Sequence, residues 1–573
     1  MEGSMLPSDT KLVIAIDIGT TQSGYAFSFT CKPDEINTCS FAGRPPNTKT
    51  PTSILLNKAG KFVSYGQEAE DKFSQLCEAD DMSYRLFRNF KMALHLNHTL
   101  SKATKVQDIS GQHSASVYDL LVMSLLYLKN HVMRTVNRFS DTYSEDDAFF
   151  VLLVPAIFDD RAKWLMREVA LKAGLRSEKF TMAFESETSS LWCLHENISG
   201  IKNKGTRYIT VDLGGGTADI VAHESQGDGT VEALHSPCGG DWGAINVDNC
   251  FKSYLSLLFG TRSIDDFVKQ DLREWYKLVR NYEASKLAEN SKTTELRVHI
   301  PLTLLSSAVE NKGLHGAYEL AELIKSPNFG GHFKMVGESL EIDEEATKGM
   351  YTYVVNSVVA KLEQLMQMGV VSDKSFDHVI IVGGLVNCGI VKEMFQSSLK
   401  RYTLVFPQSS EMFAVKGAVL YGYNKSLIRS RVIPLTYGIK STVPYDDNKH
   451  CGAKFTTING LKMCTENFHV LVKAGTKLKP GHEVKELDKP LRPEDKEQRF
   501  EIYSCGSADD IPAFTSHCTI HKEASFSVPL PYGCLVDDKV FERCSIFGET
   551  EISFRLGFKK GKRDVFIKNM EYN

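Results

Sequence analysis

The apolar positions fall into a short pattern that occurs twice. Residues 12–16 form a continuous apolar run that meets Asp17. Gly19, Thr20 and Thr21 follow, then Gln22, and an alternating stretch reaches Phe27. This predicts strand, tight polar turn, strand. Residues 208–223 repeat the arrangement, with an apolar run into Asp212, then Gly214, Gly215, Gly216 and Thr217, and a second strand carrying Asp219. Asp17 and Asp212 stand 195 positions apart, so the repeat has the scale of two similar lobes.

Between and beyond these units the period changes. Residues 117–139 carry an apolar stripe through Leu120, Leu121, Leu125, Leu128 and Val132, which predicts a long helix. Residues 149–154 are apolar without interruption, the pattern of a fully buried strand. Asp159 or Asp160 then caps a helix that stops at Gly174. Residues 244–370 read as mostly helical, broken at Pro301 and around residues 327–331. Residues 379–382 predict another buried strand, followed by Gly383, Gly384 and a helix to about Lys400. From Val432 onward, runs of four to eight residues alternate and are cut by Gly, Pro and Asp, which predicts an all-β domain of about 140 residues. Residues 558–563 read as the tip of its last hairpin.

The chain has 573 residues, too many for one ordinary core, and its 42% hydrophobic and 24% charged residues exclude wholesale disorder. A net charge of −4 argues against a partner held through a nucleic-acid backbone. The longest apolar run is 11 residues and contains Pro155, where a membrane helix needs about 20. The first residues lack a basic stretch leading into an apolar one, so a cytoplasmic location is expected. Thirteen cysteines with no CxxC or CxxxC pair point to reduced thiols rather than zinc or a disulfide scaffold.

The two turns carry the candidate chemistry. A tight turn offers backbone N–H groups, glycine lets a phosphate approach them, and threonine hydroxyls add donors. Asp17 and Asp212 would repel a phosphate but suit a hydrated Mg²⁺, which prefers carboxylate plus water. One such turn often only closes a hairpin; two at lobe scale, the second with GGGT and Asp219, predict a nucleotide site. Glu185 in AFESET is either a carboxylate ordering a metal's water shell or a helix-start residue favoured by the helix dipole. Lys91 is either a γ-phosphate contact or a solvated lysine. Gly383 and Gly384 are either a floor for a base or ribose or an ordinary connection. Glu283 and Lys286, at i and i+3 on a helix, are either ribose ligands or a surface ion pair. Walker A, HExxH, GxSxG and GxGxxG patterns are absent from the sequence.

Taken in order, IDIGTTQS, LVPAIFDD, FESET, VDLGGGTAD, YEASKLAE and VIIVGG resemble the ATPase domain of Hsp70, of the actin/hexokinase/Hsp70 superfamily, over about residues 11–425. The β-rich remainder resembles the Hsp70 peptide-binding sandwich more weakly. Within the family the chain resembles the divergent heat shock 70 kDa protein 12 (12A/12B) type. The resemblance implies an α/β fold: a two-lobed ATPase domain followed by a smaller all-β sandwich-like domain. It divides the chain into a tail (1–10), lobe I (11–203), lobe II (204–400), a closing segment (401–428) and a β-rich partner-binding domain (429–573).

It further implies ATP or ADP with Mg²⁺ as ligands. Asp17, Gly19, Thr20, Thr21 and Gln22 match the first phosphate loop. Gly214, Gly215, Gly216, Thr217 and Asp219 match the second. Asp17, Lys91, Glu185, Asp212 and Thr217 match the catalytic set, with Asp17 and Asp212 reaching metal through water. Glu283, Lys286, Gly383 and Gly384 match the adenosine pocket, and Pro155 with Lys163 matches the lobe switch, where the family has Pro and Arg. A client or partner protein is implied for the β-rich part.

The departures qualify these implications. Gln22 stands where the family has Tyr. Leu287 and Asn387 replace the two arginines that clamp adenine, which implies weaker affinity or a different base preference. The basic SLIRSRVIP replaces an acidic, leucine-rich linker, which puts coupling in doubt. The sequence stops at NMEYN, which implies neither a helical lid nor an acidic tail for co-chaperones.

Overall fold

The computed structural model describes residues 6–567 apart from 42–46, 80–82, 97–98, 140–142, 287–294, 368–374, 449, 451, 459, 491–494, 531–539 and 559–563. The first sheet runs Phe180–Phe184, Ala148–Val154, Leu12–Ile18, Gln22–Phe29, Lys32–Thr38, with the short strand Thr50–Pro51 also on Gln22–Phe29. Leu12–Ile18 pairs antiparallel with its hairpin partner and parallel with Ala148–Val154. Both strands of that parallel pair are buried along their whole length, which is why each reads as an unbroken apolar run. Helices cover the sheet. Val117–Val136 starts at Ser116, whose hydroxyl accepts from the Asp119 amide. Asp160–Lys172 starts at Asp159, whose carboxylate accepts from the Ala162 amide at 2.7 Å, and Gly174 leaves it at φ +87.

The second sheet repeats this plan. Arg207–Leu213 pairs antiparallel with Ala218–Ser225 and parallel with His378–Val382, as the first strand does in the other sheet. Asp212 sits opposite Asp219 in that hairpin. The region 244–370 is not only helical. The strands Leu296–His299, Ser339–Ile342 and Phe333–Val336 make a separate antiparallel sheet. Four-residue strands between helices carry too few positions to set a period of two against one of 3.6.

The helices Glu185–His195 and Phe413–Tyr423 pack against each other between the two sheets. Gly417 permits this contact: a Cβ there would lie 1.7 Å from the Thr188 carbonyl oxygen. The basic segment read as a linker is the strand Ile428–Val432. It extends the second sheet beside Val231–Ala233 and pairs on its other side with Lys477–Leu478. The strands that follow form a five-stranded and a four-stranded antiparallel sheet, and among the described residues no helix follows Leu427. Of the expected hairpin tip at 558–563, residues 559–563 lie outside the described residues.

The turn between Phe541–Phe547 and Ser553–Phe558 seats on the first lobe. Arg167 forms a forked ion pair with Glu551, and the Thr550 hydroxyl donates to the Met182 carbonyl at 2.8 Å. Arg431 donates from Nε to Glu187 Oε1 at 2.8 Å, from Nη2 to Glu187 Oε2 at 2.6 Å, and from Nη1 to the Gly548 carbonyl at 2.8 Å. Arg431 and Glu187 are 4% and 1% exposed, so this pair is sealed from water.

Candidate nucleotide cleft

The two turns meet face to face between the sheets. A Cβ on Gly215 would lie 2.1 Å from the Thr21 hydroxyl, and one on Gly216 would lie 2.4 Å from the Thr20 hydroxyl. Glycine is required there because the opposing loop leaves no room for a side chain. Gly243 backs the second turn from behind, where a Cβ would meet the Gly216 carbonyl carbon at 2.3 Å. The cleft so formed is lined by the residues of both turns together with Lys49, Lys91, Pro155, Glu185, Asp212, Gly383, Gly384 and Glu411.

Asp17 and Asp212 stand at the ends of their strands, one from each lobe. Asp17 Oδ1 is buried without a hydrogen-bond partner, while Oδ2 accepts from Lys49 Nζ at 2.9 Å. Asp212 Oδ2 accepts from the Ser189 hydroxyl at 2.6 Å. Burial, reinforced by Asp17, holds Asp212 above the usual carboxylate range despite Ser189 and Lys49. Asp219 accepts from the Thr217 hydroxyl at 2.8 Å and, across the lobes, from the Ala156 amide at 2.6 Å. It therefore ties the Pro155 turn of the first lobe to the second glycine turn. Lys163 pairs with Asp160 at 2.6 Å, away from that tie.

Lys91 is not a solvated lysine. It is 2% exposed and its Nζ lies 2.9 Å from Glu185 Oε1. Glu185 opens the helix Glu185–His195, as its helix-start reading has it, and its carboxylate also lines the cleft. Burial pushes the Glu185 carboxyl up, and Asp17, Asp219 and Asp212 add to this against the Lys91 charge. Burial also lowers the charge preference of Lys49, but the Asp17, Asp212 and Glu185 carboxylates outweigh it and hold its pKa above the ordinary lysine value. Gly383, at φ +103, turns the chain where a Cβ would meet the Leu213 carbonyl oxygen at 2.4 Å.

Glu283 and Lys286 do not pair with each other, which corrects the surface ion-pair reading. Glu283 accepts from Arg88 at 2.8 Å, and the nearly buried Lys286 pairs with Asp248. Their spacing on one helix is compatible with contact, but nearer partners on other elements take both charges. Asn387 closes the short turn Gly384–Asn387, and Leu287 lies outside the described residues. Gln22 is exposed at the rim. Lys49, Ser189, Gly243 and Glu411 went unnoticed in the sequence. Only the fold brings them to the cleft, and no local motif marks them.

The donor set suits a hydrated divalent ion. Among the described residues no group of three or more His, Cys, Asp or Glu is arranged to hold a metal directly. An orphaned Asp17 oxygen facing a glycine-lined cradle fits an ion that keeps its waters. Among the described residues, too, no helix is long and apolar enough to cross a membrane.

Behind the cleft, His223 is 1% exposed and its Nδ1 lies 2.7 Å from the Ser190 hydroxyl. Burial, with Arg431 and Lys477 adding, pushes its pKa from 6.5 down to about 3. The unfolded chain therefore binds a proton that the folded chain refuses across that interval, and stability is lost as pH falls through it. The urea midpoint is expected to drop between neutral pH and pH ~4, and His223→Gln to drop less. Equal slopes for the two proteins would remove His223 from the account.

No family model matches the chain. Its sequence is 22% identical to the chaperone protein DnaK of Mycoplasmopsis synoviae, over 75% of this chain and 62% of that protein. That likeness and the two that follow, together with twin hairpin turns enclosing one cleft, support a divergent type of the Hsp70 superfamily. Within the superfamily the chain is 28% identical to human heat shock 70 kDa protein 12B, over 95% of this chain and 88% of that protein. It is 27% identical to mouse heat shock 70 kDa protein 12A, over 86% and 81% respectively.

Proposed function

We propose that the chain binds ATP in this cleft and hydrolyses it slowly, and that its nucleotide state acts on the β-rich part, 429–573, which takes a protein partner. The observation that carries the reading is the face-to-face meeting of the two glycine–threonine turns, with one strand-end carboxylate from each lobe beside them. Phosphoryl transfer needs positioning and charge neutralisation more than covalent chemistry, and the cleft supplies both. Thr20, Thr21, Thr217 and the backbone amides of the glycine turns orient the terminal phosphate. Lys91, fixed by Glu185, supplies positive charge beside it. Asp17 and Asp212 would hold Mg²⁺ through water, and the ion when bound would neutralise phosphate charge. Asp212, raised in pKa and oriented by Ser189, is the group placed to accept a proton from the attacking water. Glu283, Lys286, Gly383 and Gly384 are assigned to the nucleoside end. The names of the DnaK relatives, chaperone proteins, support a protein client for the β-rich part.

A second reading, a nucleotide-holding scaffold without turnover, is favoured by one observation. The sealed Arg431–Glu187 pair and the seated 548–552 turn tie the β-rich part to the first lobe. Single-turnover hydrolysis with Mg²⁺, beside equilibrium ATP and ADP binding, separates the two readings. Asp212→Asn is expected to keep nucleotide binding and to lower the hydrolysis rate by at least ~100-fold. Binding with no hydrolysis above that variant would select the scaffold. A folded protein that binds no nucleotide would remove both.

A further inference from the structure

Lys49 has no place in the proposed catalytic set, yet it sits on the cleft floor. It directly precedes Thr50–Pro51, which pairs with Gln22 and Ser23 at the exit of the first phosphate turn. The backbone that forms the turn and the backbone that carries Lys49 are therefore hydrogen-bonded neighbours, and the ammonium has a fixed position. Its Nζ lies 2.9 Å from Asp17 Oδ2, with the two side chains 15% and 7% exposed. Asp212 and Glu185 are close enough to act on it as well. A lysine ammonium is compact and has three donors, so one bound to Asp17 leaves two. Lys91 makes the matching pair with Glu185 at 2.9 Å. Of the four carboxylates that line the cleft, Asp17, Glu185, Asp212 and Glu411, the first two each have a resident cation.

We infer that Lys49 is a built-in counter-cation of the cleft: its ammonium neutralises Asp17 and bridges to a nucleotide's phosphates, so that ATP is held with little dependence on a divalent metal. The inference rests on the nucleotide reading above and deepens it. It assigns Asp17 first to Lys49 and leaves the share of a hydrated ion in ground-state affinity small. A carboxylate left without a cation at this position would repel the phosphates. With Lys49 removed, affinity becomes dependent on metal.

The test measures ATP affinity of the full chain by titration calorimetry, in excess Mg²⁺ and in excess EDTA. Wild type is expected to lose no more than about threefold in EDTA. Lys49→Met is expected to lose more than ~10-fold in EDTA and to recover most of it in Mg²⁺, while Lys49→Arg, which keeps the charge, stays close to wild type. Thermal melting of each variant reports folding. If Lys49→Met does not fold, the wild-type comparison still decides. A wild type that loses ATP in EDTA by ~30-fold or more, or a folded Lys49→Met that responds to EDTA no more than wild type does, overturns the inference and leaves the nucleotide reading standing. A folded wild type that binds ATP in neither condition overturns both.

Discussion

Arg431→Met is expected to destabilise the folded chain by about 3–5 kcal/mol, because it leaves the Glu187 carboxylate buried and unpaired. The guanidinium makes three hydrogen bonds of 3.1 Å or less to Glu187 and one to the Gly548 carbonyl, so no single loss can be absorbed by a neighbour. It also lies over the rings of Phe184 and Tyr421, 5.9 and 5.8 Å from their centroids, which excludes water from the gap. Replacing both charges, as Arg431→Met with Glu187→Leu, is expected to restore most of the loss, since the desolvation cost of the pair disappears with it. Urea denaturation of the two single variants and the double variant measures this. Hydrogen exchange in the 548–552 turn reports whether the seat on the first lobe loosens. An Arg431→Met protein within ~1 kcal/mol of wild type would show that the pair is not sealed as described.

Gly417→Val is the second large effect. Any Cβ at this position falls 1.7 Å from the Thr188 carbonyl oxygen and 2.6 Å from its carbon, both backbone atoms of a buried helix. Side chains can turn aside, but two helix backbones can only move apart. The expected cost is about 3 kcal/mol or more, at the upper end for overpacking. The displaced helix carries Glu185 and Ser189, so ATP affinity is expected to fall by ~10-fold or more in whatever fraction stays folded. Gly389→Ala is the control, because nothing lies within 4 Å of a Cβ there. Thermal melting and ATP titration of both variants test the contrast, and similar melting temperatures would sink the argument.

The two hairpins were legible because an apolar run broken by Asp, Gly and Thr is a local signal, and a local signal given twice sets the lobe plan. The buried strand read at 149–154 was legible for the same reason, and the helix cap was narrowed to Asp159 or Asp160. Lys49 was not legible. NTKTPT contains nothing unusual, and its lysine matters only because residues 50–51 pair with 22–23. The surface-pair alternative for Glu283 and Lys286 fails because spacing along a helix identifies possible partners on that helix and is blind to Arg88 and Asp248 on other elements. Lys91 shared this blindness in reverse, since its depth comes from Glu185, 94 positions on. The sheet formed by 296–299, 333–336 and 339–342 was hidden by the shortness of its strands.

The helix Glu185–His195 has a consequence for how the chain is made. Ser186 through Leu194 are all buried, though five of the nine are Ser, Thr or Glu. The Ser189, Ser190 and Glu187 side chains take partners that the ribosome delivers in sequence: Tyr208, Asp212 and His223 soon after the helix, then Arg431, 244 positions after Glu187, with Gly548 completing the Arg431 contacts. Ser186 Oγ has no partner among the described residues, and Thr188 donates to the Phe184 and Glu185 carbonyls. Until residue 431 has left the ribosome tunnel, the nascent first lobe carries a carboxylate that its interior has no cation to match. Burying Glu187 before Arg431 is made would leave an unpaired charge in the interior, so full burial of this helix is expected only once residue 431 is available. A translational pause before that point would lengthen the life of a half-neutralised intermediate, and holding factors would find it at the helix that later organises both lobes.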